Sequence, residues 1–181
     1  MLLSLSTSTL FTILSIFSGV LVLTLLYLWA TYNAFVTKRN QVKTDFSDIE
    51  VQIKRRASLI ERLALMVKEY TKHEKETFED VAKARSALDT SKTVKEKAKV
   101  ENMLTETLRS LFMVTENYPK LEANENFLAL REDLKETENF IAKYREEYNQ
   151  SVQEYNNLTQ TFPNLLAAWL FKFPEEELFQ V

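Results

Sequence analysis

Apolar residues recur at heptad spacing through the last third of the chain. Phe127, Leu134, Ile141, Tyr148, Tyr155 and Phe162 form one series, and Leu130, Tyr144 and Leu158 lie three residues after members of it. Thr137 and Ser151 fill the remaining places of that second series. Such a 3-4 alternation puts a single stripe on one face of a helix that packs against other helices, as in a coiled coil. It predicts one long helix over about 124–161, stopped at Phe162-Pro163, because the residue before proline disfavours the helical region. A shorter stripe of Val100, Leu104, Thr107, Leu111, Val114 and Tyr118 predicts a helix over about 94–117, closed by Tyr118-Pro119.

The preceding stretch is harder to divide. Phe46, Ile53, Ile60 and Val67 form one heptad series; Phe35, Val42, Ile49, Leu63 and Tyr70 form the other, interrupted at Arg56. The phase holds to Leu88, which taken literally is one helix over 33–88. A helix over 94–117 spans only about 36 Å at ~1.5 Å per residue and could not cover its apolar side. A break near Ala57-Ser58 relieves the mismatch, and Ser58-Leu59-Ile60-Glu61 has the form of a capping box. The expectation is therefore all-α: an antiparallel up-and-down bundle of four helices, roughly 33–56, 58–88, 94–117 and 124–161. The rival has three helices, with 33–88 continuous and its stripe covered by oligomerisation.

The first 37 residues follow a different pattern. All 23 Lys and Arg and all 26 Asp and Glu come after Thr37. Leu10–Ala30 is an apolar run broken only by Ser, Thr and glycine, about 31 Å long as a helix and matched to a hydrocarbon core of about 30 Å. Tyr27, Trp29 and Tyr32 crowd its end like an interfacial aromatic belt. No Lys or Arg precedes the run, and it exceeds the ~7–15 apolar residues of a signal peptide, so it reads as an uncleaved transmembrane helix. The cations after it, Lys38, Arg39 and Lys43, favour the cytoplasmic side. The expected layout is a short extracytoplasmic tail over 1–9, a single-pass span over 10–32, a cytoplasmic bundle over 33–163 and an apolar, then acidic, tail over 164–181. In an up-and-down bundle the last helix returns toward the bilayer. The tail residues Leu165, Leu166, Trp169, Leu170 and Phe171 then either lie at the lipid interface or pack on the end of the bundle.

Composition narrows the chemistry. The chain has one glycine, Gly19, inside the apolar run, and no cysteine. A phosphate loop, a dinucleotide fingerprint and thiolate chemistry are therefore excluded. Every turn beyond Gly19 is expected to use Ser, Asn, Asp, Thr or Pro. The one histidine, His73, cannot supply the paired Glu-x-x-His motifs of a di-iron bundle. Paired with Glu69 at i,i+4 it reads as a surface contact or a weak metal site, and it offers no triad. No catalytic residue and no cofactor are expected, and the chain is not expected to be an enzyme. A net charge of -3 and a pI near 5.4 fit nucleic acid poorly. The basic triplet Lys54, Arg55 and Arg56 reads as cations ending the first helix, or as a contact for an acidic protein or, less well placed at about 36 Å from the membrane, for phospholipid. Tyr148-Asn149 and Tyr155-Asn156 repeat one heptad apart, and Tyr32-Asn33 opens the domain. The tyrosines suit core positions, and the asparagines could set register between helices through hydrogen bonds.

These residues resemble the LemA family of bacterial membrane proteins. The resemblance runs through Tyr32-Asn33, Arg39-Asn40, Val51 to Arg56 with Leu59-Ile60, Tyr70 with His73-Glu74, and Ala84-Arg85. It continues through Glu116 to Pro119 with Tyr118, Leu121 to Phe127, Glu138-Asn139, Arg145, Tyr148-Asn149, Tyr155-Asn156 and Phe162-Pro163. Two departures stand out: Glu61 replaces the family's usual proline after Leu-Ile, and Phe46 stands where tryptophan is common. The resemblance implies one membrane helix in the bacterial inner membrane and a four-helix bundle, with no catalytic residues to transfer. Some members are associated with membrane protease systems, which implies a scaffold or adaptor serving a protein partner. His73 and Glu74 join the basic triplet as candidate interaction residues. The alternative is a self-assembling homo-oligomer that organises membrane.

Overall fold

The computed structural model describes residues 7–71 and 75–180. Its helices are α1 (Thr7–Tyr70), α2 (Lys75–Thr90), α3 (Val94–Thr115), the single turn α4 (Pro119–Glu122), α5 (Glu125–Gln160) and α6 (Asn164–Phe171). No strand occurs among the described residues. The two heptad stripes locate α3 and α5 to within a few residues. The expected break at Ser58 is not there. Ala57, Leu59, Ile60, Leu63 and Ala64 are buried on one continuous face of α1, and with no glycine or proline nearby the backbone stays helical until Thr71. Helix α1 ends at Tyr70 and α2 begins at Lys75, so the helices expected at 33–56 and 58–88 are replaced by α1 and α2.

The chain forms two compact units, Met1–Asn40 with Glu154–Glu175, and Gln41–Gln153 with Glu176–Val181. The second unit is the bundle. Its helices are residues 41–70 of α1, then α2, α3 and residues 125–153 of α5. The stripe residues Ile49, Ile53, Ile60, Leu63 and Val67 of α1 are buried, as are Leu104 and Leu111 of α3 and Phe127, Leu134 and Ile141 of α5. Full burial of one such side chain is worth about 1.5–3 kcal/mol. Arg55 of α1 pairs with Glu136 of α5, and Phe46 lies 5.6 Å from Tyr148 between ring centroids, so residue numbers run in opposite senses along these two helices. Along α1 and α3 they run in the same sense, since Lys97 meets Glu50 and Arg56 meets Glu101. The bundle is therefore up-down-up-down.

The first unit holds the exposed apolar start of α1, the end of α5, and α6. A helical window in α1 has mean hydropathy 2.3 and none of it is buried, making it a candidate membrane span. Further along, Phe35 packs on Ala167 and Ala168 of α6 with Leu28, Leu158 and Phe173 around them. Helix α6 ends in a Schellman motif: Phe173 N–H donates to Ala168 O at 3.0 Å and Lys172 N–H to Trp169 O. The left-handed position in that motif, at φ 58°, is held by Lys172. Glycine is the usual occupant, and the turn residues expected here did not include lysine. Phe173 then packs against the cluster of Phe35, Ala167 and Ala168, an apolar contact of the kind that accompanies the motif.

The start of α3 is fixed by a true capping box. Thr93 Oγ1 accepts from Glu96 N–H at 3.2 Å, while Glu96 Oε2 accepts from the N–H groups of Lys92 at 2.7 Å and Thr93 at 2.9 Å. The two backbone donors hold the Glu96 carboxyl below the usual carboxylate range. A lowered pKa stabilises the fold above the unfolded carboxyl pKa, and that contribution is lost as pH falls through the folded value. Thr93→Ala should cost about 1 kcal/mol in chemical unfolding at neutral pH. Glu96→Gln should flatten the acid limb of the stability profile, and an unchanged acid limb would show that the box does not bear on stability.

Candidate interaction site

The basic triplet does not form one surface. It lies in mid-helix, so the expected helix-end role is lost. Lys54 is exposed. Arg55 is half-exposed and reaches Glu136 at 2.9 Å and Asp133 at 3.9 Å on α5; such solvent-washed pairs are worth about 0–1 kcal/mol. Arg56 points inward, 2% exposed, and donates to Glu101 Oε1 at 2.8 Å. Beside it Lys97, also buried, meets Glu50 at 3.2 Å. Thr105 Oγ1 completes the shell by donating to the backbone O of Glu101. The Nε of Arg56 and the Oε1 of Gln52, one helical turn apart on α1, are buried with no hydrogen-bond partner among the described residues.

His73 and Glu74 lie outside the described residues. The signature residues are placed as follows. Tyr118 caps α4 with Pro119 as its first helical residue. Phe162, the last member of the long stripe, is 76% exposed beside Pro163, and the bond between them is cis. In the first unit, Asn33 is exposed, Tyr32 makes edge contacts with Phe171 and Phe173, and Tyr155 Oη donates to Pro174 O at 2.8 Å. Asn156 is half-buried, and its backbone O accepts from Thr159. In the second unit, Tyr148 Oη donates to Glu177 O at 2.7 Å. Asn149 and Phe179 bond twice: Nδ2 donates to Phe179 O at 3.2 Å and Phe179 N–H donates to Oδ1 at 2.8 Å. The side-chain amide thus imitates a strand partner. Tyr148, Asn149 and Tyr155 bind the backbone of the C-terminal tail: the tyrosines are buried as expected, while for Asn149 a bond between helices was expected. Phe179, 2% exposed, is the tail's apolar anchor.

An open groove of about 480 Å³ runs between α1 and α2 of the second unit. Ala64, Leu65, Phe78, Val81 and Ala82 line it, with Glu61, Lys68, Arg85 and Asp89 also contributing. Leu65 is 60% exposed there. Heptad spacing does not single out this place, because Leu65 lies off the stripe and the expected helix over 58–88 runs across both of its walls. Of the buried charges, Arg56 interrupts the α1 series, whereas Lys97 lies one heptad before Leu104, ahead of the stripe that starts at Val100.

The sequence pattern of the LemA family matches residues 45–181. A comparison with curated proteins finds no significant match.

Two measurements test the polar interior. Removing one partner of a buried pair strands the other, so Arg56→Ala should destabilise the chain by about 3–5 kcal/mol, whereas the double change Arg56→Met with Glu101→Leu should be close to neutral. Equal losses in both would mean that packing and not charge controls the position. Burial, and then the nearby Glu176 and Glu177 carboxylates, push the Tyr148 hydroxyl up to about 12. A raised phenol pKa stabilises the fold below the unfolded tyrosine value, and that contribution is lost as pH rises through the folded one. In an ultraviolet titration of phenolate absorbance the last phase should disappear in Tyr148→Phe.

Proposed function

The chain belongs to the LemA family, and from that footing we propose that it is a non-enzymatic, membrane-anchored adaptor. Its span is the apolar start of α1, its short N-terminus lies outside, and its bundle serves a protein partner in the cytoplasm. The observation that carries the reading is the α1/α2 groove. Its floor is apolar, its rim has both signs of charge, and Leu65 is left uncovered in it. An amphipathic helix recognises a groove of this kind by seating apolar anchors one and two turns apart. Elsewhere the chain's conspicuous charges are engaged in packing: Arg56 and Lys97 are buried in pairs. The Lys and Arg residues beginning at Lys38 support the cytoplasmic placement through the positive-inside rule.

Self-assembly through the long stripe has less support. Phe127, Leu134 and Ile141 are already buried within the one chain, so a second copy would have to use another surface.

The chain has no cysteine, which allows single probes to be introduced. A photocrosslinking residue at Leu65 should capture a discrete protein in native membranes, and the same probe at the exposed Glu146 should not. Arg85→Glu should weaken the adduct. Equal capture from both positions, or none from Leu65, would overturn the groove assignment. In intact cells an impermeant thiol reagent should label Ser4→Cys and spare Ser58→Cys; the reverse would overturn the orientation.

A further inference from the structure

We propose that α6 is a second membrane contact, an interfacial helix that seats its apolar face among lipid headgroups and upper acyl chains beside the α1 span. The proposal rests on α1 crossing the bilayer. Helix α6 is eight residues, Asn164–Phe171, and has no charged residue. Its Ala167 and Ala168 face Phe35 and are buried. The remainder points outward: Leu166 is 63% exposed, Trp169 80% and Leu170 55%. With Leu165 and Phe171 also exposed, five large apolar residues in eight are left uncovered, an unusual patch for a soluble surface.

The occupant follows from where α6 is held. Tyr27 Oη and Asn164 Oδ1 are 2.6 Å apart, with the hydroxyl donating. Leu28 and Phe35 of α1 receive the buried face. Tyr27 and Leu28 are the last turn of the Leu10–Ala30 run, so α6 is fastened where that run ends. Residues 10–26 before it expose their large apolar side chains without a protein partner. The apolar surface of α6 therefore continues one that lipid already covers. Both tryptophans of the chain, Trp29 and Trp169, lie in this unit and both are more than half exposed, and tryptophan concentrates at the membrane–water boundary. Lys172 follows the helix, exposed, with a cationic head suited to phosphate groups. A lipid surface satisfies the apolar face, the aromatic residue and the cation together.

Full-length protein with Trp29→Phe, reconstituted in phosphatidylcholine–phosphatidylglycerol vesicles, isolates Trp169. Its emission should shift to the blue and lose intensity with lipid brominated near the glycerol end of the acyl chain, and respond less to bromine near the chain terminus. Leu166→Glu with Leu170→Glu should reverse both effects, with helical ellipticity retained. The companion protein with Trp169→Phe reports Trp29. If Trp29 is quenched and Trp169 is not, the proposal fails and the span stands; a blue-shifted yet unquenched Trp169 would assign the face to protein, a second copy included. If neither is quenched, the span reading fails and the proposal falls with it.

Discussion

The structure depends on covering the apolar stripe of α1. That helix is 64 residues long, far more than any one partner in the chain can cover. In the second unit α2, α3 and α5 cover it, with the ring of Tyr148 against Phe46 and Arg55 against Glu136 fixing the sense in which α5 runs. In the first unit the end of α5 and α6 cover it as far back as Leu28, with Lys38 bonded to Glu154 at 2.6 Å. Among the described residues before Tyr27 the helix is apolar and exposed on every side. A helix apolar on every side needs an apolar surround, and this one changes from a stripe to a full apolar circumference within a few residues of Tyr27.

The bundle does not use apolar contacts alone. Burying Arg56 and Lys97 is expensive, and opposite charges at 2.8 and 3.2 Å offset that cost without adding much net stability. Their effect is on arrangement. Sliding α3 by one turn would separate both pairs and leave the three buried charges, Arg56, Lys97 and Glu101, without partners. Leucine-rich faces tolerate such slides far better, so the pairs select one alignment of α1 with α3 among several of similar apolar area.

How much of this is legible in the sequence depends on what kind of signal each feature leaves. Helices α3 and α5 are bounded by proline or by loss of the stripe, and heptad spacing finds them. The α1/α2 boundary is different. Ser58-x-x-Glu61 and Thr93-x-x-Glu96 have the same capping form, and only the second is a cap. What separates them is the apolar phase: Leu59, Ile60 and Leu63 carry it through Ser58, whereas Ser91, Lys92 and Thr93 interrupt it. A box with an intact stripe on both sides should be read as mid-helix. Arg56 is visible as a stripe defect, whereas Lys97 lies ahead of the stripe that starts at Val100, and the identity of Glu101 and Glu50 as their partners needs the packing. The tail bonds of Tyr148, Asn149 and Tyr155 were not legible at all, since no periodicity relates a helix to an extended segment.

The near absence of glycine ties these observations together. With Gly19 in the apolar run, every reversal must be made by residues that resist left-handed backbone. Lys172 does so, at a cost of about 1–2 kcal/mol. A lysine there is informative because nothing in the backbone favours it over glycine or asparagine. Its side chain is exposed at the end of α6, next to the apolar face and in the same unit as the last turn of the span. A cation retained against backbone preference at the edge of an uncovered apolar face is consistent with an anionic surface on that side. The same residue that ends the helix would then also orient it.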